Sequence, residues 1–423
     1  MRPLDKVIGY NSIKKELYRI IDVLNSPEKY NKLGVHIPRG LMLEGVPGIG
    51  KSLMAISFTE ECNRKSYIIR KDRPDGVFVD YIRETFEAAM NNEPSIIILD
   101  DIDKFANEDY WHRDAEEYVT VQACIDSVKE KDVFVIATAN DIRQLPDSLK
   151  RSGRFDTIFH MNFPKGEDAK KIIEHYLENK KCDESIDAEE ISRFSRGHSC
   201  AELETVINEA GLHAAYDGRE LLSQNDVKNA CIRRFYGISN DDDDASEEAI
   251  KKRVVHEAGH VVIAELREPG IVDFASISTK HARGIGGYVS KKLKEEGVLD
   301  FESKETEIMI LLAGKAATEI VLGEIDMGAN SDLQKAFDNV RKLLDNNAGY
   351  DFNSWCHGEE TSQNIFNHLD SVTGAEVSRY YMATKKLMLS NKKFLEAIIE
   401  NLLEKKTLSY KDIAKIREDV NLN

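Results

Sequence analysis

Short apolar runs alternate with longer helical patterns through the first 165 residues. Leu41 to Glu44, Ser66 to Ile69, Ile96 to Leu99, Val133 to Ala137 and Thr157 to Met161 read as strands. Ser52 to Asn63, Tyr81 to Asn91 and Glu116 to Lys129 read as helices between them. Such alternation predicts an α/β fold, a parallel sheet with helices on both faces. Past Pro164 the strand signals largely stop. Glu167 to Lys180, Ala188 to Phe194, Ala201 to Asp217 and Ser223 to Arg234 carry helical periodicity, with Ser199 and Ser223 as N-caps. A third region follows, with a helix over 247–266, short strands at Phe274 to Thr279 and Gly287 to Ser290, and helices from there onward.

Between the second and third regions, Ile238 to Glu248 contains four consecutive aspartates, Asp241 to Asp244. A solvated linker explains this run, and it marks the best domain boundary. No internal repeat breaks the three-part reading of 1–165, 166–240 and 241–423.

Composition narrows the function classes. With 41% hydrophobic and 31% charged residues, the chain has globular character. Its net charge of −17 argues against a dedicated nucleic-acid binder, which needs clustered Lys and Arg. No run approaches the roughly 20 apolar residues of a membrane-spanning helix. The six cysteines form no Cys-x-x-Cys pair, so reduced thiols are expected rather than a disulfide framework.

Two motifs carry chemistry. Gly45-Val46-Pro47-Gly48-Ile49-Gly50-Lys51-Ser52 follows an apolar strand and opens a helix, the context of a phosphate-binding loop. Its glycines let backbone N–H groups surround phosphate oxygens. Lys51 would reach the β- and γ-phosphates of ATP, and the Ser52 hydroxyl would hold Mg²⁺. At the end of Ile96 to Leu99, Asp100 is expected in the Mg²⁺ shell and Asp101 beside the attacking water. Asn140, after another buried strand, can position that water. Arg151 and Arg154 follow three apart, either as surface ion-pair partners or as arginine fingers for a neighbouring subunit's γ-phosphate.

The second motif is His256-Glu257-Ala-Gly-His260 within a helical stretch. Residues i and i+4 share one helix face, so both imidazoles can bind one Zn²⁺, with Glu257 placed to take a proton from the attacking water. A third protein ligand is needed. Asp332, Glu319, Glu324, His281 and His357 all qualify on chemistry, and spacing does not choose among them.

A phosphate-binding loop followed by His-Glu-x-x-His in one chain resembles the FtsH family of AAA+ zinc metalloproteases, over nearly the whole length. Val7-Ile8-Gly9 resembles the family's segment beside adenine, so Ile8 and Gly9 are implied as nucleotide contacts. Lys32 to Gly40 resembles the approach to the loop. Leu145 to Asp156 resembles the second region of homology, which makes Arg151 and Arg154 trans-acting fingers. His175 falls at the family's lid histidine. Ser195 to Leu203 resembles the lid turn, with Cys200 in place of a usual Gly. Ala313 to Ile320 and Met327 to Leu333 resemble peptidase segments, the latter carrying the family's aspartate zinc ligand, Asp332. Leu402 to Leu408 resembles the family's last helical turn, implying a complete C-terminus.

The resemblance implies an AAA+ α/β ATPase domain (1–165), a helical lid (166–240) and a mainly α-helical zinc metallopeptidase domain (241–423). It implies ATP, Mg²⁺ and Zn²⁺ as cofactors, a hexameric homo-oligomer, and unfolded or tagged proteins as substrates, with no nucleic-acid partner. Three departures stand out. Asp101 replaces the family's Glu. The segment before Ile82 is shorter than the family's pore loop, with Phe78 its best match as a substrate grip. The family's N-terminal membrane anchor has no counterpart, so a cytoplasmic location is expected, or a membrane-associated one if an anchor was removed. Two rival readings follow: a non-proteolytic remodeller with a structural zinc, or a zinc peptidase on a slow ATPase scaffold.

Overall fold

The computed structural model describes residues 2–34, 37–106, 115–151, 153–155, 157–237, 246–277, 288–291, 301–324, 330–346 and 363–422. The chain divides into two compact units, Met1–Val227 and Lys228–Asn423. The acidic run Asp241 to Asp244, His281 and His357 lie outside the described residues.

In the first unit, α1 (Asn11–Asn25) and α2 (Pro27–Asn31) precede β1 (Gly40–Glu44), α3 (Lys51–Cys62), β2 (Lys65–Ile69), α4 (Asp75–Met90) and β3 (Ser95–Leu99). Then come α5 (Ala115–Ser127), β4 (Val133–Ala139) and β5 (Thr157–His160). The sheet is parallel, in the order β2-β3-β4-β1-β5. Its central strands are largely apolar because both faces are covered. Alternate side chains enter different cores. Ile96 and Ile98 of β3 pack with Leu43, Met54, Phe58 and Phe134, whereas Ile97 and Leu99 pack with Phe86, Phe105 and Val135.

This strand order brings the carboxyl ends of β1, β4 and β3 side by side. The phosphate loop, Asn140 and Asp100 follow those three ends, the crevice where open α/β sheets bind ligands.

Four helices complete the series: α6 (Gly166–Leu177), α7 (Ala188–Phe194), α8 (Cys200–Tyr216) and α9 (Gln224–Tyr236), the last containing the division between the units. Ser199 caps α8 in a reciprocal box with Glu202, and Ser223 exchanges hydrogen bonds with Asp226 at the start of α9. The α8 N-terminus is tied to the phosphate loop, where the Ala201 N–H donates to the Gly48 carbonyl at 3.0 Å.

The second unit is built on α10 (Glu247–Arg267), followed by β6 (Val272–Ser276), β7 (Tyr288–Lys291), α11 (Phe301–Leu322), α12 (Asn330–Asn346), α13 (Gln363–Ser390), α14 (Lys392–Lys405), β8 (Thr407–Ser409) and α15 (Tyr410–Asp419). Its small sheet is antiparallel, ordered β7-β6-β8. Its core gathers Val254, Val261 and Ile263 of α10 with Ile308 and Leu312 of α11, Val340 of α12 and Leu395 and Ile398 of α14.

Three expectations are corrected. The helix expected from Tyr81 begins six residues earlier, at Asp75, because Pro74 sits at its N-cap and Phe78, Ile82 and Phe86 form one buried stripe. Phe78 is therefore not a substrate grip. It is fully buried, edge-to-face with Phe105 at 5.1 Å between ring centroids. Helix does not run through Leu402 to Leu408 either: α14 stops at Lys405, Lys406 takes a left-handed backbone, and β8 begins at Thr407. Among the described residues no helix is long and apolar enough to cross a membrane.

Candidate functional site

The first unit holds a cavity of about 670 Å³, within the range of small-molecule sites. Ile8, Tyr10, Pro47, Gly48, Ile49, Gly50, Lys51, Ser52, Asp101 and Asn140 line it, and on the lid side so do His175, Tyr176, Cys200 and Ala201. Gly50 has φ +98° and Gly48 φ +80°, left-handed conformations that favour glycine, so the loop can turn its backbone inward. Gly9 lies just outside with φ +78°, and a Cβ there would overlap the Asp168 carboxylate.

Lys51 curls over the loop, its ammonium donating to the Gly45 carbonyl at 2.7 Å, the Val46 carbonyl at 3.0 Å and Asn140 Oδ1 at 2.9 Å. Burial lowers its proton affinity, against the pull of Asp101, Asp103 and Asp100. Asp100 is 2% exposed; its Oδ1 accepts from Ser52 Oγ at 2.7 Å and Thr138 Oγ1 at 2.8 Å. Burial opposes its ionisation, but donors from Ser52, Arg70 and Thr138 outweigh it and hold the carboxyl below the usual range. A hydroxyl and a carboxylate in contact at a helix N-terminus, beside a phosphate loop, are the oxygen donors Mg²⁺ takes. The residues present therefore fit Mg²⁺ and ATP.

Asp101 has a left-handed backbone, φ 54°, pinned by its N–H to Thr138 Oγ1 at 2.8 Å. Its Oδ2 accepts from Lys104 Nζ at 2.6 Å, and its Oδ1 faces Asn140 Nδ2 at 3.4 Å. Arg151 is exposed, and neither it nor Arg154 lines this cavity. Arg154 grips Asp126 through Nε at 3.0 Å and Nη2 at 2.7 Å, which holds that carboxyl at about 2. Tyr10, Lys104 and Thr138 were missed from sequence. Lys104 had a legible signal, three residues after Asp101; Tyr10 and Thr138 had none.

The second unit brings His256, His260 and Asp332 together, with one donor atom of each inside 4.8 Å of the others. The two Nε2 atoms are 3.1 Å apart, and Asp332 Oδ2 lies 3.4 Å from one and 3.3 Å from the other. A tetrahedral ion with ligand bonds of roughly 2.0–2.1 Å separates its ligands by about 3.4 Å, so this donor set fits Zn²⁺. His260 Nδ1 donates to the Ile310 carbonyl at 2.7 Å, which turns Nε2 toward the metal position. Burial disfavours the Asp332 carboxylate, but the two histidines outweigh it and hold the group far below its ordinary range. Glu319 and Glu324 lie elsewhere, paired with Lys385 and Lys252.

Helix spacing fixes this geometry. Gly314 of α11 faces the His256 ring, and a Cβ there would overlap the imidazole. Gly259 of α10 faces the Ala313 carbonyl and Ala317 just as closely. Glu257 is 7% exposed; burial raises its carboxyl above the usual value, while His260 and His256 pull it down.

Residues 41–163 match the ATPase family associated with various cellular activities (AAA). Over 98% of the chain, 28% of positions are identical to ATP-dependent zinc metalloprotease FtsH 2 of Thermoanaerobacter sp., covering 82% of that protein. FtsH of Lachnoclostridium phytofermentans is 30% identical over 98% of the chain and 74% of its own length. FtsH of Ureaplasma parvum is 30% identical over 95% of the chain, which spans only 59% of that relative. With an AAA nucleotide site in one unit, a His-Glu-x-x-His centre in the other and likeness along nearly every residue, the chain belongs to the FtsH family of ATP-dependent zinc metalloproteases.

Proposed function

We propose that this chain uses ATP hydrolysis to unfold proteins and pass them to its zinc centre for cleavage, as a homo-oligomeric ring, a hexamer by resemblance. One observation carries the reading: a nucleotide site and a three-ligand zinc centre with a buried carboxylate beside it occur in a single chain. The working parts are the ATPase region 1–165, the lid 166–240 and the peptidase 241–423. Unfolded or tagged polypeptides are the substrates.

In the peptidase step, Zn²⁺ when bound would supply polarisation of the scissile carbonyl and acidification of water. Glu257 accepts the water's proton and returns it to the leaving amine. His256, His260 and Asp332 hold the metal, and the Ile310 carbonyl orients His260.

In the ATPase step, Mg²⁺ held by Ser52 and Asp100 would supply neutralisation of charge on the phosphates. Lys51 and the loop N–H groups bind the phosphate chain, and Ser52 and Asp100 hold the metal. Asp101 and Asn140 orient the attacking water, and Ile8, Gly9 and His175 border the base. Casein-type proteolysis tests the whole: cleavage should require ATP and be lost in Lys51→Ala. Cleavage indifferent to ATP favours the scaffold rival, and turnover without cleavage favours the remodeller.

The arginines act across subunits in this reading. Arg151 supports it by being exposed and away from its own chain's cavity. Arg154 is the second finger of this reading, and its guanidinium would exchange Asp126 for the neighbouring γ-phosphate. Arg151→Ala should cut ATP turnover roughly 10³-fold or more with nucleotide affinity largely kept. Mixing it with Lys51→Ala subunits should restore part of the activity, since some interfaces then pair a sound loop with a sound arginine. No recovery in verified mixed rings counts against a shared site.

A further inference from the structure

Strands β2 and β3 run parallel with Ile69 opposite Leu99, so the residues just past each end, Arg70 and Asp100, come side by side. Arg70 Nε donates to Asp100 Oδ2 at 2.8 Å, and Arg70 Nη2 bonds the same oxygen. Asp100 Oδ1 already accepts from Ser52 and Thr138. Both oxygens of this buried carboxylate are therefore engaged.

The two partners differ in their freedom to leave. The Asp100 side chain is 3% exposed, whereas that of Arg70 is 61% exposed. Arg70 can swing into water with little loss of packing. Asp100 cannot follow, and stripped of donors it would be a costly buried charge. A carboxylate oxygen committed to a guanidinium has less to offer a divalent cation. Arg70 and Mg²⁺ are thus alternative partners for one oxygen.

We propose that Arg70 is a positioning residue for the Mg²⁺-binding carboxylate, holding Asp100 in place and yielding it to Mg²⁺ as nucleotide loads. The inference rests on the assignment of Asp100 given under the proposed function. By linkage, the metal weakens the Arg70–Asp100 contact by the factor through which that contact weakens the metal. Arg70 also opens the connection between β2 and α4. Farther along it, Lys71 pairs with Glu117 at 3.1 Å and Arg73 lies over the Tyr81 ring at 3.8 Å. Metal loading therefore loosens the start of this connection and leaves the remainder anchored.

The test uses the full chain and a fluorescent ADP analogue, so no turnover intervenes. Mg²⁺ is titrated at fixed nucleotide. Arg70→Ala should reach half-maximal metal enhancement at about three- to tenfold lower Mg²⁺ than wild type, in keeping with loss of one partly exposed ion pair. Arg70→Lys should lie between, and affinity in EDTA should stay within about twofold for all three. In the unmodified protein, amide exchange at residues 70 and 71 should rise with Mg²⁺ and ADP but not with ADP and EDTA. A Mg²⁺ midpoint unchanged or raised in Arg70→Ala, or exchange indifferent to the metal, overturns the proposal. If wild-type nucleotide binding ignores Mg²⁺, the assignment of Asp100 falls and this inference with it. If wild type responds and Arg70→Ala coincides with it, only the role of Arg70 falls.

Discussion

Glu257→Gln should abolish peptide-bond cleavage and leave about one Zn²⁺ bound per chain. Glutamine has nearly the shape of glutamate, so the packing around this 7%-exposed side chain survives. The proposed metal ligands are His256, His260 and Asp332, and none of the contacts among them runs through Glu257. What glutamine lacks is basicity. Burial raises the proton affinity of the Glu257 carboxyl, which suits a group that must accept a proton and then give it up. Losing a positioned acid–base group costs about 10²- to 10⁴-fold. Cleavage of an unfolded substrate, with metal content measured on the same preparation, checks both halves. Full activity in the variant would show that another group moves the proton, and a folded protein without zinc would remove the metal assignment.

Asp101→Asn should stop ATP turnover while nucleotide still binds. Asparagine adopts left-handed backbone about as readily as aspartate, so φ 54° and the hydrogen bond to Thr138 can persist. Lys51, Ser52 and Asp100 make their own contacts without passing through this side chain. The change removes the charge that Lys104 holds at 2.6 Å and that faces Asn140. Displacing a reacting group by about 1 Å already costs on the order of 100-fold, and removing its charge should cost at least as much. Phosphate release and fluorescent-nucleotide binding, measured side by side, separate the two effects. Hydrolysis at the wild-type rate would mean that Asp101 does not activate water.

Features carried by short stretches of backbone were legible in the sequence. The phosphate loop needs its glycines in a fixed order, and His256 and His260 need only one helical turn, so local spacing specified both. Asp332 is a different case. Its chemistry was one of several possibilities until the packing of α11 and α12 brought it to the histidines, and the residues themselves gave no distance. An aromatic in a short connection suggests a substrate grip, but Phe78 shares a buried stripe with Ile82 and Phe86, which makes it core. The strand β8 spans three residues, too few to display alternation. The pairing of Arg70 with Asp100 depends on β2 lying beside β3 in register, which no local sequence pattern states.

The close approach of α10 and α11 sets a tolerance for this enzyme. At two points there is no room for a side chain: Gly259 meets the Ala313 carbonyl and the Ala317 methyl, and Gly314 meets the His256 ring. The proposed zinc-binding histidines of α10 are therefore gauged against the backbone of α11, His256 at Gly314 and His260 at the Ile310 carbonyl. A side chain at Gly314 would displace the His256 imidazole itself, and one at Gly259 would push α10 off the Ala313 carbonyl. An error in helix spacing at this seam is thus read out directly as a change in metal geometry.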